Sequence, residues 1–302
     1  MTAISIWPAV AAALGASTCG ATASALQHRT AVQVIDRRGL GPVVRATVTH
    51  RSWLAAVALQ GFGFLLHAMA LHFGQLTVVQ PLLVCAVLFA LPLNRLLRKE
   101  RITPREVGWA TVLVVGLAGF LLAGTPATQP PAQPVDIGPA AVFGIAGLVA
   151  VGGCAILARR IGVPSAAAVL GVAAGILFAA QAALLKSSVE AFGHGLGALV
   201  TAWQPYALLV VGAAAVVFSQ LAFRAGPLSA SLPLVATVNP TLGVLIGVVV
   251  YDEGIRDSGP ALTAEIAFLT LLVVATLVLT RLEQAAPRHH FRWRGAAGRA
   301  GG

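Results

Sequence analysis

Charge is scarce in this chain, and acid is the scarcer sign. Ten Asp and Glu and twenty Lys and Arg are spread over 302 residues, so 10% of the chain is charged and 58% is hydrophobic, with a mean hydropathy of +0.87. A soluble domain carries roughly a quarter charged residues, so this composition excludes a water-soluble fold. Three cysteines exclude a disulfide framework, and their positions, Cys19, Cys85 and Cys154, lack metal-ligand spacing and read as small packing residues. There is no P-loop, no Gly-rich dinucleotide fingerprint and no nucleophile with a base and orienter, so neither an enzyme nor a bound cofactor is expected. The net charge of +10 looks like a nucleic-acid footprint. The cations sit instead between apolar blocks, which removes that reading.

What the chain has is long uncharged runs. They cover Ile6 to Leu26, Trp53 to Leu71, Leu76 to Asn94, Val107 to Gly124, Ile137 to Ala158, Ala166 to Leu185, Pro205 to Phe223, Leu228 to Val250 and Ala261 to Thr280. Each is long enough, at about 1.5 Å per residue, to cross a hydrocarbon core of roughly 30 Å. The expected fold is all-α, a polytopic membrane protein of nine transmembrane helices. Only the last run holds a formal charge, Glu265, close to its start, where a carboxylate costs less than at mid-bilayer. The first run could be a signal peptide with an exit near Ala21 to Ala25, but no side-chain cation precedes it and a retained helix is expected.

If alternate loops face the cytoplasm, beginning after the first run, every Lys and Arg except Lys186 and Arg256 lies on that side. The positive-inside rule then puts the N-terminus outside and the C-terminus in the cytoplasm, in the plasma (inner) membrane. Lys186, at the end of the sixth run, is expected to snorkel to the outer surface or attract an anion there. Pro126, Pro130, Pro131 and Pro134 make residues 125–136 an extended connector, and the arginine-rich tail at 282–302 suits anionic lipid.

An internal repeat organises these runs. Ala70 to Thr77 aligns with Ala222 to Ser229 at an offset that also matches Pro81 with Pro233, Trp53 with Pro205 and Glu100 with Asp252. Runs one to four (residues 1–124) thus match runs six to nine (159–281), with the fifth (within 125–158) as a central connector. Counterparts five helices apart cross in opposite senses, so the two four-helix repeats are inverted. Inverted repeats point to alternating access by a secondary carrier.

Several stretches carry a family resemblance. Gly74 to Pro81 followed by Arg98-Lys99-Glu100, and Gly226 to Pro233 followed by Asp252-Glu253, resemble the drug/metabolite transporter superfamily of EamA type. Ser24 to Arg29, Val79-Gln80-Pro81-Leu82, Ala183 to Lys186 and Ser219 to Ala222 are similar to the nine-helix NIPA-like magnesium transporters. The resemblance implies a transporter and, in its NIPA form, a divalent cation as cargo. The acid and Asn of the NIPA second helix are replaced here by Phe64 and His67. Mg²⁺ commonly binds through one or two carboxylates, so the chemistry favours a polar or zwitterionic organic solute, with export the leading direction. Other readings are a flippase for a lipid-linked carrier and a non-transporting membrane subunit.

The residues expected to line the solute site are neutral: Thr18, His67, Gln80, Pro81, Gln181, Gln220, Asn239 and Pro240. Pro81, Pro233 and Pro240 free backbone carbonyls at depth, which is tolerated where the helix is packed or lines a wet cavity. Gln and Asn beside two of those prolines offer donors and acceptors together. His67 is the candidate for proton coupling. Gly171-x-x-x-Gly175 and Gly243-x-x-x-Gly247 suit close helix approach, within one chain or between the chains of a homodimer.

Overall fold

Long apolar runs without water to satisfy their backbone must form helices, and the computed structural model is helical throughout its described residues. These are 7–34, 51–98, 101–124, 137–162, 165–226, 228–253 and 259–285. The helices are α1 (Trp7–Val34), α2 (Arg51–Phe73), α3 (Leu76–Leu83), α4 (Cys85–Arg98), α5 (Pro104–Gly124), α6 (Ile137–Ala158), α7 (Ser165–Gly193), α8 (Leu196–Thr201), α9 (Gln204–Ala225), α10 (Leu228–Val250) and α11 (Gly259–Ala285). Among the described residues, eight spans are long and apolar enough to cross a membrane: α2, α3 with α4, α5, α6, α7, α9, α10 and α11. α1 occupies the place of the first expected run and packs along α2. The connector at 125–136, Glu100, Arg256 and the tail beyond residue 285 lie outside the described residues.

Helix ends differ from expectation where polar residues keep the helix going. α7 continues past Leu185 through Ser187 and Ser188 to Gly193, because Ser188 Oγ folds back to donate to the Leu184 carbonyl at 2.7 Å instead of competing for the turn. The third run is broken. Pro81 cannot donate an amide, and the α-helical ladder gives way to short turns in which Val84 N donates to Pro81 O and Val87 N to Val84 O. Ser17 of α1 reaches this interruption, its hydroxyl shared between Ala13 O at 2.9 Å and Leu82 O at 3.3 Å. The first piece, α3, packs mainly on α10, whereas α4 packs mainly on α1.

Without a hydrophobic drive between helices in lipid, small residues decide which helices meet. A Cβ at Gly171 would lie 2.8 Å from the Ser231 carbonyl oxygen, and one at Gly175 would lie 2.7 Å from Val238 Cβ, so α7 sits tightly on α10. Gly116 of α5 lies similarly against the backbone of Leu272 in α11. Both glycine pairs singled out in the sequence are used within the chain, since Gly243 is covered by Gln80 and Gly247 by Thr77 and Glu253. The main core gathers Leu71, Leu76, Leu82, Leu113, Leu185 and Leu272. α6 leans chiefly on α7, with Val142, Leu148 and Val149 among its outward-facing residues.

Candidate functional site

Five polar side chains from four helices line one cavity, four of them in the interior and Gln60 at its exposed edge. Gln60 and His67 of α2, Gln80 of α3, Gln181 of α7 and Asn239 of α10 line one cavity of about 220 Å³, together with Phe64, Phe178 and small or aliphatic residues of α1 and α7. Gln80 is 1% exposed, and neither its Nε2 nor its Oε1 has a hydrogen-bond partner among the described residues. The same holds for His67 Nε2 and Asn239 Oδ1. A buried polar atom left unpaired costs about 1–3 kcal/mol. All four belong to residues that line this one space.

The surrounding packing fixes these groups. A Cβ at Gly243 would stand 2.6 Å from Gln80 Cγ, and one at Gly212 would stand 3.2 Å from Gln181 Nε2, so two glycines make room for two glutamines. Pro81 and Pro240 are buried beside Gln80 and Asn239 without lining the cavity themselves. Thr18 and Gln220 are not brought to the site. Both are exposed, and Thr18 Oγ1 donates to the Leu14 carbonyl at 2.8 Å. α1 instead turns Ala16 and Gly20 to the cavity.

Next to Leu185 of the lining lies a buried ion pair. Lys186 Nζ donates to Glu253 Oε1, and the two residues are 8% and 3% exposed. The expectation that Lys186 snorkels to the surface is therefore corrected: its helix runs on past it, and a buried carboxylate takes its charge. Glu253 also accepts from Leu76 N through Oε1 and from Thr77 N through Oε2, each at 2.7 Å, capping the N-terminus of α3 where the helix dipole favours an anion. Asp252, just before it, has φ 49°, a left-handed conformation uncommon for a residue with a side chain. That turn, with Glu253 N donating to Gly247 O at 3.1 Å, directs the carboxylate back over α10.

Tyr251 joins this pair. Lys186 Nζ lies 4.6 Å from its ring centroid, and its hydroxyl donates to Ala183 O at 2.6 Å while Ser187 Oγ lies 2.7 Å away. Burial pushes the Tyr251 phenol above its ordinary range, which keeps it a donor. Lys186 is five residues beyond Gln181, about 7.5 Å along the helix, and Leu76 is four before Gln80, about 6 Å. The ion pair thus sits one to two turns along from Gln181 and Gln80, beside Leu185 of the cavity wall.

A second buried pair had no place in the sequence reading. Arg95 of α4 donates to Glu106 of α5, and Glu106 Oε2 accepts from Thr103 N at 2.7 Å and Thr103 Oγ1 at 2.9 Å. Its signal was present: Thr103-Pro104-Arg105-Glu106 is a capping box with proline at the first helical position. Glu253 had no such local signal, because its partners lie 67 and 177 residues away.

The fold and this interior define a multi-pass helical membrane protein with a polar cavity beside a buried ion pair. Over 277 residues, 90% of this chain and 94% of the relative, the sequence is 30% identical to a protein of Corynebacterium glutamicum named uncharacterized protein Cgl0250/cg0304. The chain belongs to the same family as that protein. No protein-family model matches the sequence, and no solved structure matches it.

Proposed function

We propose that the protein is a secondary carrier that moves a small polar solute across the membrane by alternating access around the central cavity. The observation that carries this reading is the convergence of unpaired, buried atoms of His67, Gln80 and Asn239 on one cavity beside the Lys186–Glu253 pair. A purely structural bundle gains nothing from polar groups that it leaves unsatisfied.

The packing pattern supports two inverted repeats with α1, α2, α3–α4 and α5 equivalent to α7, α9, α10 and α11. α1 packs on α2 as α7 packs on α9, and α1 meets α3–α4 as α7 meets α10. The equivalent pairs α3 with α10 and α5 with α11 meet across the halves. α1 is then the ninth span. In the orientation set by the arginines, the Lys186–Glu253 closure is on the outer side. Gln60, toward the opposite end of α2, is exposed. A sealed outer end and an exposed inner end suit a carrier facing the cytoplasm and loading there, in keeping with export. The cavity lining holds amide, imidazole and apolar groups and no carboxylate, which favours an organic solute over Mg²⁺ in the resemblance to NIPA-like and other drug/metabolite transporters.

The test is alternating access itself. Single cysteines at Asn239 and Gln181, in a background with Cys19, Cys85 and Cys154 replaced by Ser, are labelled in oriented vesicles with an impermeant thiol reagent. A carrier gives labelling from the cytoplasmic side in the resting state and from the other side in variants that open the outer closure. Cysteines unreactive from both sides under every condition would remove the proposal.

A further inference from the structure

The geometry points to the chemical class of the solute: a neutral, single-ring-sized molecule that presents a planar amide edge, with an N–H beside a C=O, to Gln80. This rests on the carrier reading above. Gln80 is clamped against Gly243, whose missing Cβ would otherwise fall 2.6 Å from Cγ and 2.9 Å from Cδ. Its amide is thereby held at a fixed place in the cavity wall. Both amide heavy atoms lack partners among the described residues, so whichever way round the amide lies, it shows one donor and one acceptor side by side. The complement of that edge is another amide-like edge, and paired hydrogen bonds of this kind let Asn and Gln read adenine. A primary carboxamide, a lactam or a ring imide supplies it.

The rest of the lining narrows the choice. Asn239 adds a free acceptor, and His67 adds a ring nitrogen that donates or accepts according to its tautomer. Phe64 and Phe178 contribute aromatic surface from two different helices. No lining residue carries a formal charge at neutral pH, and the neighbouring cation and anion, Lys186 and Glu253, are bound to each other. An ionic or zwitterionic solute would surrender hydration worth several kcal/mol per charge without meeting a counter-charge. The volume, about 220 Å³, is below the roughly 300–1,000 Å³ of drug-sized pockets.

The probes are tritiated uracil and nicotinamide, bound to the purified full-length protein in nanodiscs and read by scintillation proximity. Unlabelled 1,3-dimethyluracil, which keeps the ring and carbonyls and lacks N–H, and proline, a zwitterion, serve as competitors. Saturable binding of at least one amide probe is expected, with dimethyluracil and proline competing at least tenfold less well. Gln80→Met, which keeps length and removes both polar atoms, should weaken binding tenfold or more without lowering the thermal unfolding midpoint. Gly243→Ala, which displaces Gln80 and leaves its chemistry intact, should weaken it as well. Equal competition by dimethyluracil, or full binding by a folded Gln80→Met, overturns the amide-edge assignment. So does saturable binding of tritiated proline without binding of either amide, and that result leaves the carrier reading standing. If no probe binds, the assignment is again overturned, and the cysteine labelling at Asn239 decides separately whether a carrier remains.

Discussion

Replacing Glu253 by Gln removes one charge from a buried pair and leaves Lys186 facing the Tyr251 ring, a neutral amide and, at longer range, the Glu190 carboxylate one turn on along α7. Losing one partner of such a pair costs about 3–5 kcal/mol, because the surviving charge stays out of water. The ring at 4.6 Å offsets part of this, cation–π contacts being worth about 2 kcal/mol when desolvated. In a carrier the penalty falls on the conformation in which the pair is closed. Each 1.4 kcal/mol is tenfold in an equilibrium constant, so a residual of about 1–3 kcal/mol moves the balance toward the open outer face by roughly 5- to 150-fold. The assay is the rate at which Leu185→Cys, in the cavity wall next to Lys186, reacts with an impermeant thiol reagent from the outer side. Glu253→Gln should raise that rate at least about fivefold. The double variant Lys186→Met with Glu253→Gln should restore thermal stability, since removing both charges of a buried pair is often neutral. An unchanged labelling rate together with an unchanged unfolding midpoint for Glu253→Gln would refute the closure.

Arg95→Met strands Glu106 at the α4–α5 corner and should lower stability by about 3 kcal/mol, read as a fall in the detergent unfolding midpoint. Thr103→Ala removes the cap alone and should cost about 1 kcal/mol. Gly175→Val forces α7 away from α10 at Val238, an overpacking worth about 1–3 kcal/mol or more, and the midpoint should fall accordingly. If His67 couples a proton to transport, His67→Ala should flatten the pH dependence of solute movement. An unchanged pH profile removes His67 from coupling.

The helical class and nearly every span were legible because hydropathy alone decides where a chain enters lipid. Helix rotation was not. A helix that is apolar all round gives no periodicity to say which side faces inward, so Thr18 and Gln220 could not be told from Gln80 and Asn239 by composition. Proline did help, since Gln80 and Asn239 drew attention through Pro81 and Pro240, and both proved to line the cavity. The fate of Lys186 was illegible for another reason. A lysine near a helix end looks the same whether it reaches water or a carboxylate 67 residues away, and only the turn at Asp252 brings Glu253 within reach.

The interruption at Val84 splits a single crossing between two allegiances, since α3 travels with α10 and α4 with α1. Such a crossing behaves as an elbow. Its upper arm can tilt while its forearm stays anchored, and the strain of that motion falls on the few peptide units between Pro81 and Val87 and on one serine hydroxyl that rests against the joint.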